Sequence, residues 1–340
     1  MQESLWFMRG VSSQRDLILG VKQEKIKDVS VIASHSQERN EILSVADIAY
    51  KEPENKLRMD FIANVVEKNN VKVIQTGLNT IWHEERRKEI ESLGVKLVTG
   101  ALSVDTHNLA DNKDRFSRFM RSHGIPVVDS ILISTPEELL EVMGNNPFEG
   151  KKLCIKPTIG IYGGGFWKLD YEAEIDSFLN ETSDRRIRPD IYLNAIMRSK
   201  DNFESKILMP CLEGAETSVD MIVENGEVIL AIGRKKRSHV QDIFIEGEEI
   251  ELAISCASLM KSDGIVNVQT ISDGKGNTSI LETNLRPSGG VCFSRHCGIN
   301  IPGIFAKRQL GMISKNDAKN FVKNNFNPVS VRILSDSIKI

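Results

Sequence analysis

The sequence predicts an α/β protein: a parallel sheet layered with helices over roughly the first hundred residues, then an α+β region carried by antiparallel strands. Three observations lead there. Strand-length apolar runs alternate with amphipathic stretches at the amino end. An Asn225-Gly226 turn joins two apolar runs in the middle. A second hairpin pattern follows, turning at "DGKGN".

In the first part, "LWFM" (5–8), "VSVIA" (29–33), "VKVIQ" (71–75) and "VKLVT" (95–99) read as strands, and 13–24, 57–69 and 82–93 as helices between them. That βαβ rhythm gives a parallel sheet whose exit turns, "RG", "SH" and "TG", line one edge. The turn "MRGVSSQ" lacks GxGxxG spacing, which removes the main support for a dinucleotide oxidoreductase. After a connection near 102–111, "DNKDRFSRFMRSHG" is a helix opened by Asp111 and Asn112 and closed by Gly124. "STPEELLEVM" is another, capped by Ser134 or Thr135, with Pro136 in its first turn. From 153 the strands turn antiparallel: "LCIKP", a glycine loop, "GFWKL", the hairpin "ETSVDMIV"/"EVILAIG", and the hairpin "GIVNVQTIS"/"TSILETNLR". Beyond about 314 no chemistry is legible.

A chain of 340 residues, 40% hydrophobic and 27% charged, is long enough for about two domains with cores of their own. Its 44 basic and 47 acidic residues are mixed along the chain to a net charge of -3, offering no basic field for nucleic acid and no polybasic patch for a membrane. The start lacks a signal-peptide pattern and no 18 apolar residues run together, so a cytoplasmic location is expected. Cys154, Cys211, Cys256, Cys292 and Cys297 are dispersed and form no CxxC pair, which argues against a disulfide framework and a structural zinc site.

Chemistry concentrates in four places. In "ILETNLRPSGG", strand alternation puts Glu282, Asn284 and Arg286 on one side, about 6 to 7 Å apart, with Thr283 and Leu285 on the other. A carboxylate and an amide oxygen suit Mg²⁺, and a guanidinium beside them suits a phosphate. Alone, such a row is more often a solvated strand face. In "IKPTIGIYGGGFWKL", Gly160, Gly163, Gly164 and Gly165 make a loop whose backbone can cover phosphates, with Lys156 on the strand leading into it. In "ILMPCLEGAETSVD", the Pro210 carbonyl and the Leu212 N–H can read an adenine edge, and Glu216 can accept from ribose. In "GRKKR", Arg234 and Lys236 share one strand face, Lys235 and Arg237 the other.

Taken in order, Lys113 on a helix, Lys156 on a strand, the glycine loop, the connector with Glu216, Gln269 in "VNVQT", then Glu282, Asn284 and Arg286 resemble the ATP-grasp superfamily over about 105–312. "NVQ…ILETNLRPSGG" is most similar to its carbamoyl-phosphate synthetase branch. The resemblance implies a Rossmann-like preATP-grasp domain at 1–104, a small lobe with the lid at 105–208, a large lobe with the metal site at 209–314, and a tail at 315–340. It implies that Lys113 and Lys156 hold ATP phosphates under a lid of Gly163, Gly164 and Gly165. The backbone of Met209, Pro210 and Leu212 would hold adenine, and Glu216 the ribose. Gln269, Glu282 and Asn284 would bind Mg²⁺, with Mn²⁺ as a substitute, while Arg286 and one of Lys236 or Arg234 meet the transferring phosphate. The sequence departs from the family where Met209 replaces a frequent Glu, and where Gln269 replaces a frequent carboxylate, as it also does in the carbamoyl-phosphate synthetase branch.

The function so implied is an ATP-dependent carboxylate–amine or carboxylate–thiol ligase that works through an acyl-phosphate and releases ADP and phosphate. Its partners would be small-molecule carboxylate and amine substrates, without nucleic acid or membrane, a homodimer being left open. A small-molecule kinase of the same type and a non-catalytic ATP-binding module are the alternatives.

Overall fold

The computed structural model describes residues 2–334 and 337, apart from 12, 146, 149, 161, 162 and 181–183. It divides into two compact units. Unit 1 comprises 1–107, 215–270 and 283–340, and unit 2 comprises 108–214 and 271–282.

Unit 1 begins with five parallel strands: β1 (Glu3–Phe7), β2 (Val29–His35), β3 (Ile48–Lys51), β4 (Val71–Gln75) and β5 (Lys96–Val98), in the order β3-β2-β1-β4-β5. Four of these match the apolar runs of the sequence. β3, Ile-Ala-Tyr-Lys, half-buried and half-exposed at the sheet edge, was too short and too polar to stand out. Alternation along β1 sends its side chains to two different cores. Trp6 and Met8 join Ile32, Ile74 and Leu97 under Ile62, Val65 and Val66 of the helix Arg58–Asn69. Leu5 and Phe7 join Val31, Ala33 and Val73 under Leu17, Ile18 and Val21 of the helix Ser13–Gln23. Burial on both faces is what a parallel sheet requires. The expected helix at 82–93 is two shorter ones, Thr80–Glu85 and Arg87–Glu91, broken at Arg86. A two-residue strand, β6 (Gly100–Ala101), and a helix at Val104–Asp111 occupy the stretch read as a connection.

Unit 2 is an α+β lobe. Its strands are β7 (Ile131–Ile133), β8 (Leu153–Pro157), β9 (Trp167–Leu169), β10 (Arg186–Ile187) and β11 (Lys206–Pro210), in the order β10-β9-β8-β11-β7. The helix Lys113–Ser122 starts where its cap predicts: the Asn112 side chain accepts from Arg115 N–H. The helix Pro136–Asn145 is capped by Thr135, whose hydroxyl accepts from Glu138 N–H at 3.1 Å. Its core gathers Ile133, Leu139, Ile155, Leu169 and Leu208.

A third sheet holds β12 (Glu216–Glu224), β13 (Glu227–Arg237), β14 (Val240–Phe244), β15 (Ser262–Ser272), β16 (Thr278–Asn284) and β17 (Val329–Arg332), ordered β16-β15-β12-β13-β14-β17, with β6 pairing β15; β12–β13, β13–β14, β14–β17 and β6–β15 are antiparallel. The unit boundary falls inside β15 and β16, so Glu282 counts with unit 2 and Gln269 and Asn284 with unit 1. Asn225 and Gly226 both hold positive φ, 50° and 81°, which is the two-residue hairpin the dipeptide predicts. Residues after 314, silent in sequence, form a capped helix at Lys315–Asn325 and then β17, which pairs with β14.

Candidate nucleotide and phosphate sites

In unit 2, three groups far apart in sequence line one narrow cavity: Lys113, Lys156 and Met209, with Val128, Ile280 and Leu281. The fold explains the meeting. Lys113 is the first residue of its helix, and its N–H donates to Thr158 O, just past β8, at 2.9 Å. Lys156 lies on β8, 8% exposed, opposite Ile207 of β11, two residues before Met209. Met209 packs with Val128, Cys154 and Ile207, flanked by Leu212, Ile271 and Leu281. The lining mixes two lysines, Ser117 and Ser130 with apolar side chains, so cationic and apolar groups meet at one place in the lobe.

The connector's backbone is set by register. Cys211 N–H donates to Lys152 O at 2.7 Å across to the β8 side. The Pro210 carbonyl accepts from the Cys154 thiol at 3.9 Å, and the ladder to β7 ends at Ile131 opposite Leu208, before the connector begins. Cys211 itself was not singled out by its sequence. The neighbouring Cys154 thiol pulls its pKa down, while Cys211 and burial push that of Cys154 up. Only tertiary structure could bring these two cysteines together.

The glycine loop is tied to the same lobe. Lys113 Nζ donates to Gly160 O at 2.9 Å, and Arg185 donates to Gly163 O. Gly163 and Gly165 hold φ of 64° and 70°, and a Cβ on Gly165 would lie 2.7 Å from the Pro157 ring, so glycine is needed there. Gly164 lies between them, exposed. Ile161 and Tyr162, inside the expected lid, lie outside the described residues.

On β16 the expected alternation holds. Glu282, Asn284 and the following Arg286 are half-buried, while Thr283 and Leu285 are buried at 6% and 7%. Arg286 Nη2 donates to Asn284 Oδ1 at 3.3 Å. Gly100 lets its backbone meet the end of this row: a Cβ there would lie 1.9 Å from Leu285 O. Arg286 also lines a narrow cavity of unit 1 with Gly10, Gln14, Gln75 and Gly77, at the exits of β1 and β4. Gln269 sits half-buried on β15, two residues from buried Asn267. Among the described residues no group of three or more His, Cys, Asp or Glu is gathered for a metal. The oxygen donors of Gln269, Glu282 and Asn284 carry one negative charge between them. That set fits a hard cation such as Mg²⁺ only when phosphate oxygens complete its shell.

The basic run divides sharply. Lys236 Nζ contacts Glu216 Oε1 at 2.6 Å, an exposed pair that engages the expected ribose acceptor with the expected phosphate cation. Arg234, 4% exposed, is enclosed: Nε donates to Asp220 at 2.8 Å, Nη1 to Gln241 at 2.6 Å, and Nη2 to Ser218 at 3.1 Å and Ser288 at 2.8 Å. Its guanidinium also lies 5.5 Å from the Phe293 ring centroid. Asn267 completes the network through Ser218 and Asp220, at 2.9 and 3.0 Å. Gly290 is small because Arg234 is there, a Cβ coming within 2.4 Å of Nη1. Arg234 therefore braces the 288–290 turn that follows Arg286, a role that single-strand alternation could not separate from that of Lys236.

Comparison with known proteins agrees with this architecture. Residues 202–334 match the family described as "ATP-grasp in the biosynthetic pathway with Ter operon". The carbamoyl phosphate synthase large chain of Methanothermobacter thermautotrophicus is 24% identical over 311 residues, 86% of this chain and 28% of that protein. The chain thus spans about a quarter of the length of such curated relatives, 22% to 28%. Among solved structures, an L-amino acid ligase from Bacillus licheniformis superimposes with a TM-score of 0.63 at 13% identity, covering 96% of this chain and 78% of that one. A biotin carboxylase from Campylobacter jejuni, in complex with an ATP analogue, gives 0.63 at 19%, covering 93% and 72%.

Proposed function

From a chain that carries an ATP-grasp domain, we propose an ATP-dependent ligase that joins a carboxylate to an amine, or to a thiol, through an acyl-phosphate. The observation that carries the reading is the convergence of Lys113, Lys156 and Met209 on one cavity of unit 2. Adenine would lie against Met209 and bond the Pro210 carbonyl and the Leu212 N–H. Lys113 and Lys156 would hold phosphates, with the loop of Gly163, Gly164 and Gly165 over them and Glu216 near the ribose.

The work left to the chain is positioning and charge neutralisation, which dominate phosphoryl transfer. Arg286 stabilises charge on the transferring group. Gln269, Glu282 and Asn284 would hold Mg²⁺, which supplies Lewis-acid neutralisation of the phosphate oxygens. Arg234 acts as a positioning residue, because its donors are already bound to protein. Lys236 would meet a phosphate with the ammonium N–H groups that its contact with Glu216 leaves over.

The test is ADP release, with Mg²⁺ and ATP, across a panel of carboxylates and amino acids offered singly and in pairs. A ligase gives release that needs both a carboxylate and a nucleophile and yields a new amide or thioester. A stable phosphorylated product would make it a kinase, and nucleotide binding without turnover a sensor.

A further inference from the structure

Within unit 1, a wide pocket of about 710 Å³ opens at the carboxyl ends of the parallel strands. Arg9 follows β1, Ser36 follows β2, Lys51 to Asn55 end and follow β3, and Asn79 follows β4; all line it together with Arg58. The strand order β3-β2-β1-β4-β5 reverses direction between β1 and β4, and ligands of open α/β sheets bind outside the carboxyl ends at such a reversal.

The chemistry of the wall is unusual. Arg58 is 2% exposed, yet its Nε and Nη1 have no hydrogen-bond partner, and its Nη2 is 4.0 Å from the nearest carboxylate oxygen, on Glu52. The guanidinium carbon lies 5.1 Å from the Trp82 ring centroid. Arg9 Nε is likewise buried and without partner. Glu52 does not answer these donors, because its Oε1 is taken by Arg9 N–H and the Ser34 hydroxyl, both at 2.8 Å. Folded proteins seldom leave buried guanidinium donors unmet; ordered water or a bound anion supplies the acceptors. Burial and the nearby Arg9 both pull the Arg58 pKa down, against Glu52, which adds to the pull toward an anion.

We infer that Arg58 and Arg9 form an oxyanion site that grips the carboxylate or phosphate at the non-reacting end of the acceptor substrate. This rests on the ligase reading for its role, since Gly10, next to Arg9, lines the Arg286 cavity, but the binding itself does not depend on it. The planar N–H fork of a guanidinium suits an oxyanion in bidentate contact. The remainder of such a substrate would extend along the β1 exit toward Arg286.

The experiment is fluorescence titration with inorganic phosphate and, separately, acetate, at constant ionic strength and without nucleotide. It uses a Trp6→Phe, Trp167→Phe background, so that only Trp82 reports. A saturable change is expected with at least one anion. Arg58→Met should weaken it at least tenfold, Arg58→Lys less, and Lys156→Met not at all, with circular dichroism confirming each fold. Preference between the two anions identifies the group held. Saturation that is unchanged in both Arg58 variants, or abolished only by Lys156→Met, overturns the site, as does no response to either anion. If binding behaves as expected while no carboxylate stimulates ADP release, the ligase reading fails and the anion site stands.

Discussion

Arg234 and Arg58 are both buried arginines beside a carboxylate in unit 1, yet they are built in opposite ways. Arg234 makes four hydrogen bonds, to Asp220, Gln241, Ser218 and Ser288. Arg58 leaves two of its nitrogens without any and stands 4.0 Å from Glu52. A buried charge whose nitrogens all have protein partners is committed to the fold. One whose donors are unmet has kept its binding capacity at a cost in stability. Burial alone does not tell a strut from a binding group, whereas the count of satisfied donors does.

The comparison breaks most visibly at Arg234. Arg234→Met leaves Asp220 buried with only Asn267 to answer it, and should cost about 3 to 5 kcal/mol. Urea unfolding measures this, and a loss under about 1 kcal/mol would mean the network holds nothing together.

Next comes acid. His83 stands beside the under-satisfied region: its Nδ1 bonds Asn79 O at 2.8 Å, and its Nε2 has no partner. Burial lowers its pKa to about 4, with Arg58 and Arg86 pulling the same way and the Asn79 bond opposing. The unfolded chain takes up this proton near the ordinary 6.5 and the folded chain only near 4. Stability from the neutral ring is therefore whole above pH 6.5 and is lost as pH falls toward 4. The loss amounts to about 3 kcal/mol for one ring. The difference between wild type and His83→Phe isolates it from the carboxylates. A difference that does not change across the window would count against a buried neutral ring.

Glu282→Gln tests whether function and stability separate on β16. It preserves shape and removes the one charge of the proposed metal set, so ADP release should fall by about 10². The unfolding midpoint should stay within a degree or so, about 0.2 kcal/mol. Equal turnover in both proteins would return Glu282 to a plain strand face.

The smallest effect is expected at Arg58. Arg58→Met removes a charge with unmet donors and keeps the packing on Trp82, so stability should change by less than about 1 kcal/mol. A loss comparable to that of Arg234→Met would erase the distinction between the two arginines.

Much of this was legible in sequence where the signal is local. Alternation placed Glu282, Asn284 and Arg286 on one side of a strand, Asn225-Gly226 gave its hairpin, and Asn112 its helix start. The edge strand β3 escaped because four residues of mixed polarity carry no period. With it went Glu52 and the pocket it helps to wall.

What the sequence by itself determined is therefore whatever a few neighbouring residues decide: the strand-then-hairpin order, the faces of β16, the glycines of the loop, and the collinear set that suggested nucleotide chemistry. Tertiary structure alone decided which cations are committed. Arg234 and Lys236 share a strand face, but β12, β15 and the turn at Ser288 enclose one, while Glu216 meets the other near solvent. Arg58 and Arg9 likewise acquire their meaning from strand ends widely separated in the chain. The physical reason is that satisfaction of a charge depends on partners and dielectric brought by other elements, and neither is encoded in the spacing of residues along one strand.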